Sequence, residues 1–486
     1  MMQENNLNLQ LRPELKERKL SVKVELVTPQ FGGGAESRKP DAKQWLRPAS
    51  VRGALRFWWR ALFGASFSTP KEMHAAESSI FGCTAAEKER GSAGKVSVTV
   101  RVLADATVKP WDDYQQLDTV RVQQGQRAGQ KVVASAQSVA YFPANENKRE
   151  QQKTAGLVSP SAQAVLTISD LSFARPTKDR LDAVQWEQVL ESLRAFILFG
   201  GSGSRTRRAA GAICLSSAED SQKLSFPTTT ESIKRWVAKY TNRGNEHECF
   251  LLSRCQYVYI TQDRYDTGEK AQEALLAMWR EFRQQRPHPA SWFGGNKWGR
   301  TNWPEADAIR MLTKQHASWE NKGRPIDHAP LSVNEGLVPR AHLGLPIIVK
   351  FKDDDSARKR EEEQGSFRRG RWLSTDPPMS EIVLRKLGQD GKPVLVERYA
   401  SPVLLAVTAI NEPSQPAKRL FVGLVLITRS ILQRDQTVVL KAKPSQPLSP
   451  GNWIDVLSKQ QGRRGLLQTL DQMSFQPILT VEGTMK

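Results

Sequence analysis

Residues 20–28, LSVKVELVT, alternate apolar and polar side chains and predict a strand with one buried face. Pro29 ends it. A glycine loop follows from Phe31 to Ser37, where Gly32, Gly33 and Gly34 permit close backbone approach. From Arg47 to Leu62 the period becomes helical: Leu55, Trp58, Trp59 and Leu62 form an apolar stripe, while Arg52, Arg56 and Arg60 recur every fourth residue. Ser50 is the expected N-cap. ESSIFG (Glu77–Gly82) leads into a strand over Lys95–Leu103, and Ala164–Phe173 is a further strand. Val184–Leu198 reads as an amphipathic helix running into a second glycine loop, GGSGSRTRRAAG, from Gly200 to Gly211. Residues 216–247 form a polar boundary zone with one short helix, Ser232–Lys239. Phe250–Ile260 then opens a second strand–helix unit whose helix is Glu269–Gln285. Pro346–Phe351, Pro402–Ala409 and Leu420–Ile427 are strands.

Both halves open with a strand and then a helix, which permits a duplicated α+β fold, although no close sequence repeat is visible. Residues 105–160 are polar and without periodicity; they predict a long, partly disordered insertion. Residues 353–369 alternate blocks of charge and predict a solvated loop.

Charge narrows the partners. The 486 residues include 71 basic and 51 acidic ones, a net charge of +20. Residues 1–250 carry 36 basic and 26 acidic residues, and residues 251–486 carry 35 and 25, so the excess belongs to the body and not to a tail. An extended polyanion, most simply nucleic acid, fits that distribution; a basic protein docking on acidic proteins is the alternative. The four cysteines form no CxxC pair, as in a reducing compartment. No apolar run approaches the roughly 20 residues of a membrane span, and the N-terminus has no apolar signal core. A soluble, cytoplasmic protein is expected, with no membrane partner.

The chemistry is concentrated in arginine. No acid occurs from Lys43 to Lys71, so Arg47, Arg52, Arg56 and Arg60 call for an anion opposite them, expected to be phosphate. No acid occurs from Ser192 to Ala218 either, where Ser204, Arg205, Arg207 and Arg208 stand among glycines. Glycine-rich backbone offers N–H groups to phosphates and arginines add paired contacts. The loop has neither the GK[ST] ending of a Walker loop nor a GxGxxG pattern. WFGGNKWGRTNW (Trp292–Trp303) sets Lys297 and Arg300 among three tryptophans; such a set can stack bases, or simply pack a loop on the core. The six histidines form no metalloprotease or triad signature, and His247, Cys249 and Cys255 match no zinc spacing. No catalytic residue, metal or cofactor is assigned.

TPQFGGGAE (Thr28–Glu36), RPASVRGALRFWWRALFG (Arg47–Gly64), the ESSIFG turn and GGSGSRTRRAAG together resemble the RAMP superfamily of CRISPR proteins. Their order is most similar to the first-subunit family of the Cmr module, the type III-B effector, as are WPEADAIR (Trp303–Arg310), GLPIIVKF (Gly344–Phe351) and RYASPVLL (Arg398–Leu405). The resemblance covers about residues 20–430 apart from the insertion. It implies two ferredoxin-like, RNA-recognition-like domains in tandem, over residues 1–245 and 246–486. It implies a non-catalytic subunit near the guide 3′ end, holding guide RNA and target RNA beside other RAMP subunits in antiviral defence. Arg52 and Arg56 match the basic positions of the Ser-x-basic-Gly helix motif; Arg205, Arg207 and Arg208 match those of the glycine loop. Ala209–Ala210 departs from the pattern, where an aromatic often precedes the last glycine. The rivals are a metal-independent ribonuclease processing guide precursor, and a pure assembly subunit.

Overall fold

The structure, a computed structural model, describes residues 18–32, 34, 39–84, 91–110, 119–120, 131–132, 156–172, 176, 179–241, 244–247, 249–284, 303–312, 338–349, 380–387, 391–396, 398–412, 415–430, 432, 437–441, 446–458 and 464–481. Gly33, Lys297, Arg300, the charged segment 353–369 and most of the 105–160 insertion lie outside the described residues.

In the first half the elements run β1 (Lys19–Leu26), β2 (Gln30–Phe31), α1 (Pro48–Phe63), α2 (Pro70–Phe81), β3 (Val96–Val102), β4 (Val108–Pro110), β5 (Thr119–Val120), β6 (Lys131–Val132), β7 (Gly156–Val158), β8 (Gln163–Asp170), α3 (Ala183–Phe199), β9 (Ile213–Leu215), α4 (Ala218–Lys223) and α5 (Thr230–Ala238). The main sheet has the order β3-β8-β1-β9 with antiparallel neighbours. Setting aside the insertion, this is β-α-β-β-α-β with its first and third strands central. The insertion is rooted in a small sheet: β7 pairs with both β2 and β4. The alternation read in the sequence is the pleat itself, because Val22, Val24 and Leu26 face the core while Ser21, Lys23 and Glu25 face outward.

The second half repeats the plan. It contains β10 (Cys255–Thr261), α6 (Gly268–Gln284), α7 (Glu305–Leu312), β11 (Ile347–Val349), β12 (Ser380–Leu387), β13 (Pro393–Val396), β14 (Val403–Glu412), β15 (Gln415–Thr428), β16 (Thr437–Leu440), β17 (Gln446–Leu448), α8 (Trp453–Leu457), α9 (Leu466–Gln472) and β18 (Phe475–Thr480). Its main sheet, β14-β15-β10-β18, reproduces the first sheet's order. A further sheet, β11-β12-β16-β17 with β13 against β12, is assembled from two excursions of the chain, one before β14 and one after β15. Ile309, Ile347, Ile382, Leu384, Val438 and Leu440 give it a core of its own.

The halves are welded face to face. Val258, Ile260, Leu404, Ala406, Val422 and Leu424 of the second sheet share one apolar cluster with Trp58, Trp59, Phe196 and Phe199 of the first half's helices. Tyr257, Tyr259, Leu405 and Val425, on the opposite face of that sheet, pack with α6 and the C-terminal helices. Every residue of β10 is therefore buried, and no β10 face is left to alternate with solvent. The order is sheet, helices, sheet, helices. Among the described residues no helix is long and apolar enough to cross a membrane.

Two local expectations are revised. Ser50 is not the N-cap of α1; Arg47 occupies that position, with Pro48 beginning the helix and Ser50 exposed in its first turn. Proline at the first helical position sets the φ the helix needs and loses only an N–H that has no intrahelical partner. ESSIFG is the last turn of α2, not a lead into a strand. That helix begins with the capping box Thr69–Glu72, in which the Thr69 hydroxyl accepts from the Glu72 N–H at 3.2 Å.

Candidate nucleic-acid interface

The glycine loop is fixed by backbone bonds. It leaves α3 at Gly200 and is pinned to the segment after β1: Gly211 N–H donates to Pro29 O at 2.8 Å, and Ser204 N–H donates to Phe31 O at 2.6 Å. Thr28 Oγ1, fully buried, donates to Ala209 O at 2.7 Å and accepts from Ala212 N–H at 2.8 Å. Glycine is obligatory at two places. A Cβ on Gly211 (φ 66°) would lie 1.9 Å from Ser202 O, and one on Gly203 (φ 88°) 2.2 Å from Phe31 O. The loop's far side docks on β14, where Ala209 N–H donates to Leu405 O at 3.1 Å and Leu405 N–H donates to Arg207 O at 3.0 Å. The loop is thus the seam between the halves. Ala209 and Ala210 are fully buried in the second core, which accounts for small residues where an aromatic was expected.

Three of the sequence motifs converge here. Gly32 abuts Gly203, with 3.6 Å between a Cβ built on the first and the Cα of the second. Gly34 N–H donates to Lys39 O, closing its own turn. Gln30 Nε2 donates to Trp45 O at 2.8 Å, which brings the start of α1, and with it Arg47, to the same edge.

The arginines behave differently from one another. Ser204 and Arg205 are exposed at the tip, Arg205 with φ 63°. Arg207 folds back: its guanidinium lies 5.0 Å from the centre of the Phe250 ring and donates to Ser401 O. Burial pushes Arg207 down to about 10, and burial with the nearby Arg205 does the same for Arg208, so both stay charged at neutral pH. Behind them, burial and then Arg340 and Arg208 push Arg283 down to about 9, against the opposing pull of Glu305. Positive charge therefore extends inward from the loop.

On α1 the anion facing the arginines is a carboxylate and not a phosphate. Buried Glu77 of α2 accepts through Oε1 from Arg56 Nε and Arg60 Nη1, each at 2.6 Å. Arg56 also donates to Gly82 O at 3.2 Å. Arg52 donates to Val96 O at 3.1 Å and to Phe81 O, and burial followed by repulsion from Arg56 lowers its pKa. These three tie α1 to α2 and to the β3 entrance. Lys297 and Arg300 lie outside the described residues.

A cavity of about 220 Å³ opens beside the loop, and sequence reasoning had found only one of its walls. Arg207 belongs to it together with Phe250, Arg254, Lys386, Arg398, Arg429 and Tyr399. These positions are scattered over more than 200 residues, so no local pattern announces them. The one usable signal was Arg398, which heads the RYASPVLL motif. Among the described residues no cluster of His, Cys, Asp and Glu could hold a metal ion. His247 instead places Nε2 2.9 Å from Phe67 O, and Cys255 donates to Tyr257 O.

The sequence profile of the RAMP superfamily matches residues 23–214, from β1 through the glycine loop to β9. Over that span the chain is similar to the RAMP superfamily. A stretch of 100 residues is 34% identical to a Cmr subunit, Cmr1-2, of Pyrococcus furiosus. That match takes in 19% of this chain and 51% of the relative, so the chain spans about half the length of the curated relative it matches. Among solved structures, apo Cmr1 of Pyrococcus furiosus aligns over 95% of this chain and 99% of its own, with 10% identity and a TM-score of 0.44. A type III-B Cmr-beta complex bound to cognate target RNA contains a chain aligning over 94% of this one and 100% of its own, with 12% identity and a TM-score of 0.40. The matched span contains both glycine motifs and the arginine helix.

Proposed function

We propose that this chain is the RNA-binding, non-catalytic first subunit of a type III-B CRISPR effector, made of two ferredoxin-like units, placed near the guide 3′ end and helping to hold guide and target RNA. One observation carries the reading: the glycine loop is clamped rigidly at the seam, with Arg205 at its tip and further cations behind it. Charged arginines carried on a rigid loop recognise phosphate with little ordering cost. Base pairing between guide and target would read sequence; this chain would read backbone. The strand order of both main sheets supports the ferredoxin-like reading. The resemblance to the Cmr1-2 subunit supports the effector assignment.

The chain is to be tagged, purified gently from its host, and the RNA it carries sequenced. Discrete RNAs with a repeat-derived 5′ end, accompanied by several other subunits, are expected; absence of RNA or a random mixture would refute the effector role. If about five arginines contact single-stranded phosphates, affinity falls with salt with a log–log slope near about −3.5, and a flat response would sink the phosphate clamp. Metal-free cleavage of repeat RNA by the purified chain would favour the ribonuclease instead.

A further inference from the structure

The cavity beside the glycine loop is rich in donors and poor in acceptors. Three guanidinium nitrogens in its walls, Arg207 Nε and Arg254 Nε and Nη1, are buried without a hydrogen-bond partner among the described residues, although Glu246 attracts the Arg254 charge. Leaving such a group unsatisfied is costly, more so when it is charged, and native proteins seldom tolerate it without reason. Several of the wall's own acceptors are already engaged. Ser401 O takes Arg207, Pro402 O takes both the N–H and the hydroxyl of Thr428, and the Tyr399 and Leu345 backbones pair with each other. Ser401 Oγ accepts from Val403 N–H, which leaves its own hydrogen to donate. Lys386 comes from β12 of the further sheet, and Arg398 from the connection between β13 and β14. The one ion pair described at the rim, Arg429 with Glu246, is loose at 3.6 Å and largely exposed.

A site of that composition selects a ligand made of acceptors and negative charge. Its volume is below the roughly 300–1,000 Å³ of pockets that take a whole drug-sized molecule. Phe250 is not available for base stacking, because Arg207 covers one face and Phe57 stacks on the ring at 5.9 Å. Recognition therefore rests on phosphate.

We propose that this cavity binds the phosphate of a single unpaired nucleotide of an RNA strand, held by Arg207, Arg254 and Arg398. The proposal deepens the RNA-binding reading and rests on it. It places one phosphate off the surface, where first half, second half and further sheet meet, so that the strand is anchored at a point and not merely attracted to a basic face.

The test uses the full-length chain, with uridine 5′-monophosphate, uridine, and a five-nucleotide single-stranded RNA as probes. Uridine 5′-monophosphate is expected to raise the melting temperature in proportion to the logarithm of its concentration, and uridine to have no effect. Arg254→Gln and Arg398→Gln are each expected to weaken nucleotide binding about tenfold, the loss of one charge-assisted contact. Arg398 is exposed, so that variant reports even if Arg254→Gln fails to fold. Lys234→Gln, on the exposed side of α5, is the matched control and should bind as before. Equal shifts with uridine and its monophosphate, or unchanged affinity in Arg398→Gln, would overturn the site. Competition between the short RNA and the mononucleotide supports a strand as the source; binding without competition would assign a free nucleotide and overturn the strand. If long RNA binds while the mononucleotide does not, the pocket is wrong and the RNA reading stands. If no RNA binds at all, both fall.

Discussion

Glu77 is a single buried carboxylate oxygen serving two half-exposed guanidiniums, and the consequences are specific. Replacing it with glutamine removes the negative charge but keeps the shape. Arg56 and Arg60 can still reach water, so the cost is expected at about 1–3 kcal/mol, below that of a fully buried pair. Urea denaturation of Glu77→Gln checks the direction and size. The same change releases two cations, and the salt slope for single-stranded RNA should steepen by up to about 1.4. An unchanged slope would mean these arginines are structural only. His342 gives a pH effect whose sign can be worked out. Burial pushes its imidazole below the ordinary 6.5, with Ser430 Oγ 2.8 Å from Nδ1 and Gly451 O 3.1 Å from Nε2. The unfolded chain protonates near 6.5 while the folded one stays neutral. Below that pH the unfolded state binds the extra proton, and stability falls until the folded pKa is reached. Urea midpoints should drop as the pH falls through about 6.5 and below, and His342→Gln should flatten the drop.

Among the elements, the glycine loop divides its arginines by burial, and substitutions should divide likewise. Arg205→Ala at the exposed tip is expected to weaken RNA capture with an unchanged melting temperature. Arg207→Ala loses the Phe250 contact and the Ser401 bond and should lower both. Filter binding beside thermal melting separates them; equal loss of both in Arg205→Ala would make the tip structural. Much of this element layer was legible in the sequence. Val22, Val24 and Leu26 gave β1 its pleat, and α3 was found within a residue at each end, because Asp182 caps its start and Gly200 its end, even though its second half is buried all round. Arg52, Arg56 and Arg60 were read as one face, but their anion was assigned to a ligand because Glu77 sits on the next helix, beyond the acid-free window. The strands of the further sheet were mostly missed: β13 is short and largely exposed, so it carries no apolar alternation. The cavity was illegible because tertiary packing alone brings Arg254, Lys386 and Arg398 together.

For the molecule as a whole, the face-to-face weld matters most. The sequence suggested a division at residues 245 and 246. Yet α3 contributes Phe196 and Phe199 to a cluster that also contains Leu404, Ala406 and Val422. Severing there would expose an apolar face on each part. Residues 1–245 expressed alone are expected to aggregate and to become soluble on co-expression with 246–486, while the intact chain melts in one calorimetric transition. Two separated transitions would refute the shared core.

The further sheet carries a consequence for descent. Its strands arrive in two instalments, β11–β13 before β14 and β16–β17 after β15, joined by the Ile382–Leu440 register. Either instalment alone would present a bare strand edge to other chains. Lineages of this protein should therefore have gained or lost the two inserts together, and a homologue possessing one without the other would need a substitute to cover that edge.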